Sequence, residues 1–188
     1  RRGKQFTFTL LDEWIPTTKP KTREEALAQL AARYFSSRGP ATLQDFTWWS
    51  GLTTTEARAA IEAIKHQLSS EVVNNTTYWV YENILPAKHS PSVYLLPAFD
   101  EYLISYKDRA LMLDPVHNKD VFRGGNGIFN PTIVANGRIA GVWKRTFKKD
   151  SIFVDTNLFA PLNATQQKAL IKAVDRFCVF MKKQYKDK

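Results

Sequence analysis

The first clear pattern in the chain is an alternation. Phe6, Phe8 and Leu10 are separated by Thr7 and Thr9, and this period of two predicts a half-buried strand over residues 5–11. Residues 16–21 then read as a linker. From Thr22 the period changes: Ala26, Leu27, Leu30, Ala31, Tyr34 and Phe35 recur at helical spacing. Thr22 with Glu25 forms a capping box at the start of this helix, and Gly39-Pro40 ends it. Thr42 opens a shorter helix carrying Phe46 and Trp49, closed at Gly51. A second capping box, Thr53 to Glu56, starts a third helix whose inward face is Ala57, Ala60, Ile61, Ile64 and Leu68. Val72-Val73, a polar Asn74-Asn75-Thr76 turn and residues 77–81 predict a hairpin. Helix, short helix, tight turn, longer helix and hairpin together predict a winged helix.

The second half of the chain has a different rhythm. Residues 93–96 predict a strand, 99–106 a short helix or turn, and 113–130 an irregular stretch containing Gly124-Gly125-Asn126-Gly127. Residues 132–135 and 138–147 flank Asn136-Gly137, a strong hairpin signal. Lys148-Lys149-Asp150 turns into a strand at 151–154, and Asn163 with Gln166 caps a final helix expected to reach about Lys186. The predicted class is α+β: a winged helix followed by a small antiparallel sheet or partial barrel with a C-terminal helix. The expected division is an N-terminal strand and linker at 1–21, a winged-helix domain at 22–90, and a β-rich domain at 91–188.

Composition narrows the function classes. At 44% hydrophobic, 13% aromatic and 24% charged, the 188 residues describe a folded chain. The single cysteine, Cys178, excludes an internal disulfide and suits a reducing compartment. No apolar run approaches the roughly 18 residues of a membrane span, and no signal peptide is visible. Expected partners are therefore soluble, with no membrane, and the expected location is cytoplasmic and nucleoid-associated. The net charge of +9 suits a phosphate backbone.

Where the charge sits changes the picture. Residues 22–97 hold 6 basic and 7 acidic side chains, whereas residues 138–149 hold five cations and no acid. The final segment, 163–188, is also basic, with Lys168, Lys172, Arg176, Lys183 and Lys186 on one helical face opposite Leu170, Val174, Phe177 and Met181. Phosphate contacts supply most nonspecific affinity for DNA. The expected grip is thus the basic hairpin: Arg138, Trp143, Lys144, Arg145, Lys148 and Lys149. Thr54, Thr55 and Arg58 at the exposed start of the third helix, with Asn75 in the wing, are a weaker candidate surface. A solvated edge strand whose lysines block aggregation is the competing reading of the hairpin.

Catalytic and metal-binding signatures are missing. His66, His89 and His117 are scattered, without carboxylates or cysteines at ligand spacing, so no metal is expected. There is no nucleophile elbow, P-loop or dinucleotide fingerprint, so no cofactor is expected. Asp100, Glu101 and Asp108 could act as acid or base, but acids flanking a turn more often cap helices and form ion pairs.

Several stretches resemble a known family. They are 32–35 with 39–42, Asp45-Phe46 with residues 48–52, then 95–103 with Tyr106 and Asp108-Arg109, and finally 136–138 with 141–145. Together they are similar to the bacterial winged-helix family that includes DNA glycosylases unhooking interstrand crosslinks and alkylated bases. The resemblance implies several winged-helix units in tandem, then a barrel-like region, with this chain matching the C-terminal half. It also implies a catalytic pair, a Gln or His two residues before a Gln, in an N-terminal unit. None of the seven glutamines here has such a partner. The resemblance leaves Asp100, Glu101, Tyr106, Asp108 and Arg109 as family-motif residues without a role.

The expected function is duplex DNA binding as the non-catalytic part of a glycosylase-like repair protein. Its expected partners are double-stranded DNA and upstream winged-helix units of the same parent chain, the abrupt start at Arg1 suggesting truncation. A winged-helix transcription regulator or protein-interaction module is the alternative. Whether the parent protein is an enzyme is left open.

Overall fold

The computed structural model describes residues 5–17, 19–82, 93–123, 128–149, 151–182 and 184–185. Gly124 to Gly127, the 83–90 end of the first expected domain, and Lys183 and Lys186 lie outside these.

Three helices build the first half: α2 (Arg23–Arg38), α3 (Leu43–Ser50) and α4 (Thr54–Ile64). All three begin with a complete capping box, because Thr22, Thr42 and Thr53 each accept from the third residue on and receive its side chain in return. Their apolar faces meet in one core of Tyr34, Phe35, Phe46, Ala57, Ile61 and Ile64. A single 3₁₀ turn at Lys65–Gln67 leads into β1 (Leu68–Val73), which pairs antiparallel with β2 (Thr76–Tyr81). Asn74 and Asn75 both adopt positive φ, as the tight two-residue turn requires. Ala41, between α2 and α3, exchanges two backbone hydrogen bonds with Trp79, so β2 ties back across the helices.

The hairpin is longer than the sequence pattern predicts. Leu68, assigned to the third helix, is the first residue of β1; it is buried in either conformation, so apolarity alone did not mark the boundary.

A short α1 (Leu11–Trp14) precedes these elements, and residues 6–10 are not a strand. Only Gln5 forms a bridge. The alternation of Phe6, Phe8 and Leu10 satisfies the strand period, but a strand needs a paired neighbour. Among the described residues these side chains stay on the surface, Phe8 at 98% exposure.

The second half is a five-stranded sheet in the order β3 (Val93–Leu96), β6 (Thr132–Ala135), β7 (Arg138–Phe147), β8 (Ser151–Leu158) and β9 (Gln184–Tyr185). Pairing is antiparallel except for β9, which runs parallel to β8. Between β3 and β6 lie α5 (Glu101–Ile104), a 3₁₀ turn at Pro115–His117, α6 (Asn118–Val121), and the paired β4 (Phe122–Arg123) and β5 (Ile128–Phe129). The stretch expected to be irregular thus holds short ordered elements, too brief for either hydrophobic period to register. Strand β8 runs four residues further than expected. Helix α7 (Ala164–Phe180) stops short of Lys186, and Gln184–Tyr185 returns as β9.

The sheet is covered on both faces. Ile133 and Trp143 pack with Leu170 and Phe177 of α7, while Val134 and Ile139 pack with Leu103, Leu113 and Val121 on the other side. At β6–β7 the register shifts, leaving Ala140 bulged, and its carbonyl accepts from the Phe159 amide. Among the described residues the sheet is open, with β3 and β9 as its edges. The whole is a mixed α/β chain with antiparallel sheets and a helix near its C-terminus.

Candidate nucleic-acid interface

Strands β7 and β8 pair in an unbroken ladder from Gly141↔Leu158 to Phe147↔Ile152. The ladder closes at Lys148, whose amide donates to the Ser151 carbonyl. Alternation along β7 sends Ile139, Gly141 and Trp143 inward, and the burial ends after Trp143. Lys144, Arg145, Lys148 and Lys149 all lie on the exposed end of the hairpin. Phe147 is also half out of the protein. A groove of about 490 Å³ beside this end is lined by Val142, Lys144, Arg145, Phe147, Asp155 and Asn157 among others.

Two expected members of this surface are placed differently. Trp143 is only 4% exposed; its indole N–H donates to the Leu96 carbonyl at 2.8 Å and its ring packs edge-on against Phe177 at 5.0 Å. Buried and bonded in this way, it is not available to stack on a base. Arg138 begins β7 and so stands about 30 Å of strand away from Lys148, given roughly 3.3 Å per residue. The basic end is the β7–β8 turn, not the Asn136-Gly137 turn. The aromatic partners of Arg145 are internal: its guanidinium lies 5.7 Å from the Trp143 ring and 5.9 Å from Phe147. Opposite Lys144 in the register stands Asp155. With Asp150 and Asp155 counted, residues 138–158 carry five cations and a net charge of +3.

Thr54, Thr55 and Arg58 share an exposed face of α4 with Ala59 and Glu62, around a shallow concavity of about 440 Å³. Asn75 lies at the tip of the β1–β2 turn. The acid of the first α4 turn, Glu56, is committed elsewhere. Hydrogen bonds from Thr53 and an ion pair with Arg23 hold its carboxyl down at about 2, from an ordinary 4.5.

The family-motif residues form a joint between the helices and the sheet. Asp100 caps α5 by accepting from the Tyr102 amide. The Glu101 carboxylate receives Ser105 Oγ at 2.9 Å, Arg38 Nη2 at 3.0 Å and Trp49 Nε1 at 3.0 Å. Burial pushes this carboxyl up, but the hydrogen bonds from Ser105, Arg38 and Trp49 outweigh it and hold the group below its ordinary value. Tyr106 donates its hydroxyl to the Arg38 carbonyl at 2.8 Å. Asp108 accepts from the Ala110 amide, and Arg109 donates to the Leu103 carbonyl with its guanidinium near Trp48 and Phe122. These interactions are a cap, an ion pair, hydrogen bonds and ring contacts that tie α5 and the loop after it to α2 and α3.

Sequence reasoning gave no role to the residues that complete the joint. Asp45, 4% exposed, accepts from the amides of Thr42, Lys107 and Asp108 and from the Thr42 hydroxyl. Tyr34 is fully buried and donates to the Ser105 carbonyl at 2.8 Å; burial pushes its hydroxyl well above the usual phenol range. The readable signal was Thr42-x-x-Asp45, a capping box in which the acid proves to serve two elements. Among the described residues no group of three or more His, Cys, Asp or Glu side chains could hold a metal, and no helix is long and apolar enough to cross a membrane.

The joint that carries these motifs thus stands in the same chain as an exposed basic hairpin end. The chain belongs to the AlkZ-like DNA glycosylase family, whose model matches residues 1–180. One relative, an interstrand DNA cross-link repair glycosylase from Streptomyces sahachiroi, is 27% identical over 189 residues, covering 93% of this chain and 47% of its own. The fold matches that of the Streptomyces sahachiroi DNA glycosylase AlkZ with a TM-score of 0.75 at 22% identity, over all of this chain and 53% of that one. The chain thus spans about half the length of the relatives it matches. The match runs across both the helices and the sheet, and it assigns them to neither half of a longer protein.

Proposed function

We propose that these 188 residues hold duplex DNA within a glycosylase-type repair function, gripping the backbone with the end of the β7–β8 hairpin. The observation that carries this reading is the cluster of Lys144, Arg145, Lys148 and Lys149 on an exposed hairpin end, beside a near-neutral helical half. The family supplies the DNA substrate class. The helices and hairpin of residues 22–82 act as a winged helix that serves mainly as scaffold, with Thr54, Thr55, Arg58 and Asn75 as a secondary contact. The three helices, the two-stranded wing and the Ala41–Trp79 tie support that description. These residues position the duplex and do not themselves break a glycosidic bond, because no Gln-x-Gln or His-x-Gln pair occurs among them. Neither a C-terminal position in a longer chain nor upstream units of that chain is needed for this reading.

Replacing Lys144, Arg145, Lys148 and Lys149 with Ala together is expected to weaken binding to duplexes of any sequence. It should also flatten the dependence on salt, by about one unit of slope for each phosphate that is no longer neutralised. Fluorescence anisotropy across a salt series measures both. An unchanged slope removes the hairpin from the interface. Arg58→Ala in the same assay is expected to change nonspecific affinity little, and a large loss would make α4 the principal contact.

A further inference from the structure

A concavity of about 760 Å³, larger than the groove beside the basic hairpin, opens between α3, the β1–β2 wing and the loop after α5. That volume lies within the roughly 300–1,000 Å³ typical of small-ligand sites. Its walls carry four aromatic residues: Tyr78, Trp79, Tyr102 and Tyr106. The hydroxyls of Tyr102 and Tyr106 are bonded to the Gly137 and Arg38 carbonyls, which fixes those rings in place. Around them stand polar groups that make no hydrogen bond among the described residues: the Gln44 and Asn75 amides and the Tyr78 hydroxyl. Fixed rings surrounded by unused donors and acceptors suit a planar heteroaromatic with a hydrogen-bonding edge.

Charge narrows the ligand further. Arg58 and Lys107 are exposed on the rim. The acids of the wall are already engaged: Glu62 pairs with Lys65, Asp108 accepts from the Ala110 amide, and Asp45 is saturated by backbone donors. With Lys65 offsetting Glu62, the carboxylates of Asp45 and Asp108 balance Arg58 and Lys107, and the two cations stand exposed at the edge, where the phosphates of a base held inside would pass. Arg58 and Glu62 also border the concavity on the exposed face of α4, so the two hollows adjoin. Resting on the duplex-binding reading above, we infer that this concavity binds an unpaired nucleotide of DNA, its base among Tyr78, Trp79 and Tyr106 and its backbone passing Arg58 and Lys107. Aromatic rings with adjacent cations are how proteins hold single strands without reading sequence.

The test compares three probes on the intact chain: a 15-nucleotide oligodeoxythymidylate, an abasic oligomer of the same length, and a duplex. Oligothymidylate is expected to bind saturably and to quench tryptophan emission, with the abasic strand at least about tenfold weaker, as loss of stacking requires. Tyr78→Ala and, separately, Lys107→Ala should each weaken oligothymidylate binding severalfold while leaving duplex affinity intact. Lys107 is exposed on the rim, so its replacement reads the site even if Tyr78→Ala fails to fold. Equal affinity for the abasic strand, or oligothymidylate affinity untouched by Lys107→Ala, overturns the inference. The four-alanine hairpin variant separates the two readings: it should lose duplex and keep the single strand. If it loses the single strand equally, the hollow is not the site. If it keeps the duplex, the hairpin proposal fails while the hollow stands.

Discussion

Asp45 shows how much can rest on one side chain. It ends the capping box of α3 and, through Oδ1, receives the Lys107 and Asp108 amides, so one carboxylate orders two segments more than sixty positions apart. Removing it leaves part-buried amides without this acceptor, each costing up to about 1–3 kcal/mol. Asp45→Ala is expected to lower stability by about 3 kcal/mol, seen as a reduced urea midpoint with an unchanged slope. Asp45→Asn, which keeps one acceptor oxygen, should lose less. A loss within experimental error for Asp45→Ala would show that water replaces the carboxylate. The sequence carries half of this: Thr42-x-x-Asp45 is legible as a cap, but nothing local marks that a loop from beyond residue 100 will bond to the same carboxylate.

Among the elements, those closed by short-range chemistry were readable and those completed by a distant partner were not. The boxed Thr22 and Thr53, with Thr42 and Asn163, placed four helix starts, and Asn136-Gly137 placed a turn, because caps and turns bond within three or four residues. Residues 6–10 alternate but are not a strand, because a period of two can be met by residue order alone whereas a strand is completed by pairing with a distant segment. Trp143 misled for a related reason. Flanking cations suggested a surface residue, whereas α7, packed across the sheet, buries the ring. Gly141 is a further case, following the Ala140 bulge and paired with Leu158 of β8. A Cβ built there would lie 2.3 Å from the Asn157 carbonyl oxygen and 2.9 Å from the Leu158 Cα, both backbone atoms that cannot swing aside. Gly141→Ala is therefore expected to cost about 2 kcal/mol or more and to weaken duplex binding by spreading the hairpin. Thermal unfolding and anisotropy on the same variant check the two effects, and wild-type stability would show that the strands separate easily.

For the molecule as a whole, composition and segment charge pointed to DNA before any contact was known, because charge distribution survives whatever the backbone does. The contrast in charge was also visible, a near-neutral helical half against a net +3 hairpin. What the sequence could not show is how the halves join. Glu101, Arg38, Trp49, Ser105, Tyr34 and Tyr106 are ordinary residues in isolation, and only their convergence makes a joint. The basic hairpin and the aromatic hollow owe their mutual spacing to that joint.

The one thiol of the chain turns part of this architecture into something that can be timed. Cys178 is 3% exposed on the sheet-facing side of α7, packed with Ile152 and Val174. Burial, and then Asp175, push its thiol above the ordinary range, so the seated helix presents an unreactive group. A thiol reagent can modify it only in the instants when α7 lifts from the sheet, and the labelling rate becomes a clock for that opening. Duplex held on β7–β8 should slow the clock, and urea too dilute to unfold the protein should quicken it. Labelling as fast as that of a free cysteine would mean that α7 spends much of its time off the sheet.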